Sequence, residues 1–311
     1  MPLDPSPRLQ LPQLRQYSGA MKTKTRATKQ APWPVLTRYD QQHLYRLAMP
    51  IGGIGTGTVS LGGRGDLRDW EIVNRPAKGF SPKQSFFALY AKPKNGEAVT
   101  RALEGVLDPH DYEGAFGSTV PNHSLPRFRQ CRFEAAYPFG QVLLSDPDVP
   151  LDVRLQAFNP FIPGDADRSG MPIAIFRFVL TNKTAQPIEA AVCGNLENFI
   201  GQDGHTVVEG RINTGVKGGA QNKNSFRVGK DARGLLMISN GIDPNAEQWG
   251  TLALATAATT GITHRANWAD VNWGDSLLDY WDDFASDGKL DEREASVDNP
   301  IGSLCVNVTV P

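Results

Sequence analysis

Phe86-Phe87-Ala88-Leu89-Tyr90-Ala91, then Pro93-Lys94-Asn95-Gly96, then Ala98-Val99-Thr100: this stretch decides the fold class. An apolar, aromatic run meets Asn-Gly, which tolerates positive φ and is a strong hairpin signal, and a second short strand follows. The same grammar extends in both directions. Upstream, Val59-Ser60-Leu61 reads as a strand. Downstream, Leu151, Val153, Leu155 and Ala157 alternate with Asp152, Arg154 and Gln156, the period-2 pattern of a half-buried antiparallel strand. Ile173 to Leu180 is apolar nearly throughout and predicts a central strand. A turn at Asn182-Lys183-Thr184 then leads into Ile188, Ala190 and Val192, which predicts a second hairpin. Leu235–Ile238, Leu252–Ala255 and Leu304–Val310 complete the set of expected strands. One segment follows another period. Leu277, Tyr280, Trp281 and Phe284 fall on one face of a helix, which Asp275 or Ser276 can cap and Gly288 can close. The expectation is all-β: a large antiparallel β-sandwich with one late inserted helix.

The whole chain has 311 residues, with 32 basic and 33 acidic side chains and a net charge of −1. This balance argues against nucleic-acid binding driven by overall charge. No apolar run is long enough for a membrane helix, and no apolar leader opens the sequence. Cys131, Cys193 and Cys305 are far apart and in no metal spacing, which points to a reducing, cytoplasmic setting rather than a disulfide framework. Charge is uneven along the chain. Residues 1–38 hold seven Lys or Arg against Asp4 alone, in a Pro-, Gln-, Ser- and Thr-rich setting without a periodic apolar face. They read as a disordered basic arm preceding a body at 39–311, and such an arm permits peripheral contact with a membrane without requiring it.

Several stretches invite a chemical reading. Gly52, Gly53, Ile54, Gly55, Thr56 and Gly57 suggest a phosphate-binding loop, but the spacing fails: Thr58 stands where the third glycine is needed, and no Gly-Lys-Ser/Thr follows. The alternatives are tight backbone packing or close approach to a ligand or neighbouring domain. Arg64-Gly65-Asp66 reads as a turn between strands. Beyond it, Asp66, Arg68 and Trp70 alternate and would share a face, either as a sugar-binding surface or as an ion-paired sheet face. Asp283 to Glu294 resembles a calcium loop, yet position 3 is Ala285 and no second helix follows. Asp108-Pro109-His110-Asp111 is a turn signal, and none of the five histidines sits in a metal spacing. No catalytic residue, metal site or cofactor is assigned.

Met49-Pro50-Ile51-Gly52-Gly53-Ile54-Gly55-Thr56-Gly57, Arg64-Gly65-Asp66 with Trp70-Glu71-Ile72, and Phe158-Asn159-Pro160-Phe161-Ile162-Pro163 resemble, in order, strings of glycoside hydrolase family 116. Trp281, Phe284 and Asp287-Gly288-Lys289-Leu290 resemble its late helix and exit. The resemblance runs from about residue 40 to the C-terminus and implies the N-terminal β-sandwich domain of a retaining β-glucosidase or glucosylceramidase. It implies a nucleophilic Glu and an acid/base Asp on a C-terminal (α/α)6 domain, which nothing in this chain matches. That helical domain is the expected partner, and a β-glucoside or glucosylceramide the substrate of the complete enzyme. Gly52 to Gly57, Arg64, Asp66, Arg68 and Trp70 are the candidates for substrate binding or the domain interface. A second reading is a free-standing carbohydrate-binding or interaction sandwich that would use Trp70.

Overall fold

The computed structural model describes residues 32–311 except 74, 113–117, 119, 205–206, 209–210, 213–220, 272–274 and 295–296. Residues 1–31 of the expected arm lie outside the described residues. Its last residues are not an arm: Leu36 N–H donates to the Ala135 carbonyl, and Thr37–Tyr39 is a strand paired with 133–135.

The deciding hairpin is present. Phe86–Pro93 pairs antiparallel with Val99–Gly105, Ala91 lies opposite Val99, and Gly96 N–H closes the turn on the Pro93 carbonyl at 3.1 Å. The first strand lies inside a six-stranded sheet, with Ile188–Glu197, Ile301–Val310 and Ile262–Arg265 on one side and Val99–Gly105 and Arg127–Phe128 on the other. The last pairing there is parallel. A five-stranded antiparallel sheet runs in the order Thr37–Tyr39, Gln130–Ala136, Phe139–Ser145, Leu151–Phe158, Ile175–Asn182. Two three-stranded sheets, Ala48–Ile51/Thr58–Gly62/Leu67–Glu71 and Asn222–Val228/Arg233–Ser239/Leu252–Thr256, and the pair Val207–Val208/Arg211–Ile212 make up the rest.

The period-2 rule explains why Phe86 to Ala91 is apolar without alternation. Leu89 and Ala91 enter a core shared with Val153 and Leu155 of the five-stranded sheet, Ile51 and Leu61, and Leu235 and Met237. Phe86, Ala88 and Tyr90 enter a second core with Trp268, Leu277, Tyr280 and Phe284. A strand covered on both faces has no polar face to show. The covering element is the expected helix, Asp275–Asp287, whose Tyr280 and Phe284 are fully buried, each contributing about 1.5–3 kcal/mol. Gly288 ends it at φ +74°, its N–H on the Phe284 carbonyl at 2.9 Å.

Three expectations require correction. Ile173 to Leu180 predicted a central strand, but Ile175–Asn182 is the edge of the five-stranded sheet, half-buried along most of its length. Nor does the turn at Asn182 make a hairpin. Thr184 N–H and Oγ donate to Asn182 Oδ1, both at 2.8 Å, and the chain leaves the five-stranded sheet to join the six-stranded one, with Ile188 opposite Pro93 and Val310. A turn sequence encodes the reversal but not which sheet receives the next strand, because long-range pairing selects that. The expected two sheets are likewise an undercount: the described strands form five, of which the two largest contribute to one core.

Candidate functional site

The Arg64-Gly65-Asp66 turn joins Thr58–Gly62 to Leu67–Glu71 and folds inward. Gly62 N–H donates to the Asp66 carbonyl at 2.8 Å and Gly65 N–H to the Gly62 carbonyl at 3.0 Å. Gly65 sits at φ +98°, and a Cβ there would lie 2.9 Å from the Leu103 carbonyl, so conformation and space both require glycine. The turn drives Arg64 beneath the surface. Its Nη1 bonds Glu104, which also accepts from Arg127 Nε at 3.1 Å and Asn122 Nδ2 at 3.3 Å. Arg127 in turn donates to Asn122 Oδ1 at 2.7 Å and to the Leu125 carbonyl at 2.9 Å. Asp66 accepts from Arg68 Nε at 2.7 Å. Burial alone would lower the Arg64 pKa, but Glu104, Asp66 and Asp111 outweigh it and hold the guanidinium charged. Burial would raise that of Asp66, and Arg64 with Arg68 pull it below the ordinary carboxylate value. Both side chains are therefore ionised at neutral pH.

This cluster forms one wall of a cavity of about 460 Å³, lined also by Tyr45, Gln84, Ser85 and Phe86. Exposed Arg46 and Ala48 bring it to the surface. A smaller cavity of about 160 Å³ shares Tyr45, Arg64, Arg68 and Asp111 and is walled by Cys131. The Cys131 thiol is pushed up to about 12 by burial and by Asp66, which makes it a poor nucleophile at neutral pH.

Trp70 does not join Asp66 and Arg68. It is buried, its ring edge-on to Phe199 with centroids 5.4 Å apart, and belongs to the shared core. Strict alternation fails because Asp69 takes φ +51° and the pairing of this strand shifts register between Thr58 and Ser60. A sugar-stacking role, which needs an open ring face, does not fit this position.

The glycine stretch turns between Ala48–Ile51 and Thr58–Gly62, with Gly52, Gly55 and Gly57 at positive φ. Gly53 is approached by this chain's own backbone: a Cβ there would lie 2.3 Å from the Met171 carbonyl and 2.2 Å from Thr56 Oγ1. Ile54 N–H donates to the Ser169 carbonyl at 2.8 Å. The explanation of Gly53 is thus internal, whereas Gly55 faces open space. The side chains gathered here are apolar and exposed: Ile54, Met171 and Ile173, with Phe161 and Ile162 on the loop that Ser169 pins through hydrogen bonds to Ile162. Tyr137 extends the patch, its ring 6.4 Å from that of Phe161.

The calcium-like stretch serves an internal cation instead. Asp279 and Asp283 each receive a hydrogen bond of 2.6 Å from fully buried Arg265, and Asp287 accepts from Lys289 N–H. Glu104, Arg127, Asn122 and Gln84 were missed by sequence reasoning, since they come from separate segments and carry no local motif. Asp111 lay within a quoted string, where its turn signal masked its partner Arg64.

A family model described as "beta-glucosidase 2, glycosyl-hydrolase family 116 N-term" matches residues 48–311.

Proposed function

Since the chain belongs to glycoside hydrolase family 116 through that N-terminal domain, we propose that it is the non-catalytic β-module of a retaining β-glucosidase or glucosylceramidase. Its five- and six-stranded sheets serve as the two layers of a β-sandwich that braces a helical domain carrying the catalytic Glu and Asp. The observation that carries this reading is a set of exposed apolar side chains: Ile54 on the glycine turn, Phe161, Ile162, Met171 and Ile173 on the segment whose Ser169 bonds Ile54 and Ile162, and Tyr137 beside Phe161. Contiguous apolar surface of this kind marks a contact site, and Gly55, with no atom within 4 Å of its Cβ position, lets a partner backbone come close. The Arg64-Gly65-Asp66 turn braces Thr58–Gly62, the strand that leaves the glycine turn. The sandwich works in the cytoplasm, with any membrane contact made through the basic residues of 1–38.

Hydrolysis of a chromogenic β-glucoside tests the reading. This chain alone should show no turnover, and joining it to a helical catalytic domain of the family should produce it. Turnover by the 311-residue chain alone would move the catalytic carboxylates into this chain and end the proposal. A free-standing carbohydrate-binding role through Trp70 is disfavoured because that ring is packed in the core.

A further inference from the structure

The five-stranded sheet ends on Ile175–Asn182, and this edge carries none of the devices that usually keep an edge strand from pairing. It has no proline and no bulge, pairs in unbroken register with Leu151–Phe158, and holds one charged side chain, Arg177. Hydrogen-bond parity shows which backbone groups it leaves open. Lys183 N–H donates to the carbonyl of Pro150 opposite it, so the odd-numbered residues of 175–181 bond inward to Leu151–Phe158. Asn159 N–H donates to the Pro138 carbonyl on the far side of that inner strand, which gives the same parity independently. The N–H and C=O groups of Phe176, Phe178 and Leu180 therefore point out of the sheet edge, and among the described residues they have no hydrogen-bond partner. Their side chains lie against the shared core yet stay only half-buried.

We propose that this edge pairs with the same strand of a second copy of the chain, antiparallel about a two-fold axis at Phe178, so that two five-stranded sheets join into one. The pattern of open groups selects both the occupant and the register. An isologous contact sets one residue against a second and the second against the first. With the open groups on 176, 178 and 180, Phe176 of each copy faces Leu180 of the other, and Phe178 faces its counterpart. The three half-buried side chains then cover one another across the axis and complete the burial that the edge leaves unfinished. On the other face of the sheet Ile175 meets Thr181 and Arg177 meets Val179, with no like charges opposed. Other registers that keep the parity are worse. An axis at Arg177 sets that residue against itself. An axis at Val179 sets Phe176 against Asn182, whose side-chain amide is already bonded to the Gln186 and Pro311 carbonyls.

The test is sedimentation equilibrium of the full 311-residue chain between about 1 and 100 µM, where a dimer with Kd of about 10 µM should appear. Val179→Lys sets like charges against Arg177 at two symmetry-related places and should weaken association about tenfold. Val179→Glu sets opposite charges there and should tighten it about threefold. The deciding variant joins Val179→Lys to Arg177→Glu, which restores opposite charges and should return Kd to the parent value. Melting temperatures measured at about 1 µM, below the expected Kd, should stay within about 3 °C of the parent, which separates damage to the monomer from loss of pairing. A chain that remains monomeric at about 100 µM, leaving the edge to some other strand, would overturn the proposal. So would a dimer indifferent to the sign of the charge introduced at position 179, or a folded double variant that stays dissociated.

Discussion

Arg265 is the sharpest place to test how the helix is held on the sheet. The side chain is fully buried. Its guanidinium donates to Asp279 and Asp283, one helical turn apart, and to the Asp291 carbonyl at 2.9 Å. One cation thus joins the edge strand Ile262–Arg265, the helix and the segment leaving it. Replacing Arg265 with Met keeps most of the buried stem but leaves two carboxylates and a carbonyl without their donor. Breaking a buried ion pair from one side costs about 3–5 kcal/mol. The lower end applies here, because Arg293 lies 3.3 Å from Asp279 and 3.9 Å from Asp283 and takes over part of the charge. The expected loss of about 3 kcal/mol corresponds to a fall of about 5–10 °C in Tm for a domain of this size. Urea unfolding followed by tryptophan fluorescence measures it directly, since Trp268 and Trp281 lie in or against the core beneath the helix. The partly exposed Arg293→Gln should cost under about 1 kcal/mol. If Arg265→Met unfolds within about 1 kcal/mol of the parent, the carboxylates are solvated well enough without it, and the clamp is not an energetic one.

Other outcomes follow from the same geometry. Gly53→Val puts a β-branched side chain against the Met171 carbonyl and should cost about 2–4 kcal/mol; a melting curve matching the parent would show that the 169–171 segment simply moves aside. Ile54→Ser with Met171→Ser should leave melting unchanged, because both side chains are exposed, while lowering activity of the complete enzyme through weaker docking; undiminished activity would remove this patch from the interface. Asp146 is held down to about 2: burial would raise its pKa, but hydrogen bonds from Arg129 and from the Asp148 and Arg129 N–H groups prevail. A carboxylate depressed on folding stabilises above its unfolded pKa of about 3.8 and loses that contribution as pH falls towards 2. Asp146→Asn should therefore cost about 1–2 kcal/mol at pH 7, discounted because Arg129 is half-exposed, and should flatten the stability profile between about pH 4 and 2. An unchanged acid limb in denaturant titrations at those pH values would contradict this.

Local periodicity and turn chemistry by themselves determined the elements of this protein. Phe86–Pro93 with its Asn-Gly turn, Leu151–Phe158 with its alternation, and the Leu277/Tyr280/Phe284 stripe closed by Gly288 all stand where their residues place them. The family strings around Gly52–Gly57 and Phe158–Pro163 were equally local, and the match over 48–311 agrees with them. Only the tertiary structure decided how the elements meet. Ile175–Asn182 is apolar enough for a central strand yet ends at an edge, and Asn182 starts a crossing rather than a hairpin. Trp70 turned from surface to core through one left-handed residue, Asp69, and a register shift. The Arg64 cluster draws Glu104, Asp111 and Arg127 from strands and turns whose sequences carry no sign of one another. Backbone preference and side-chain period act over a few residues and can be read along the chain. Sheet choice, burial and charge pairing are contests between distant segments for the same core, and they are settled only when all of them are folded together.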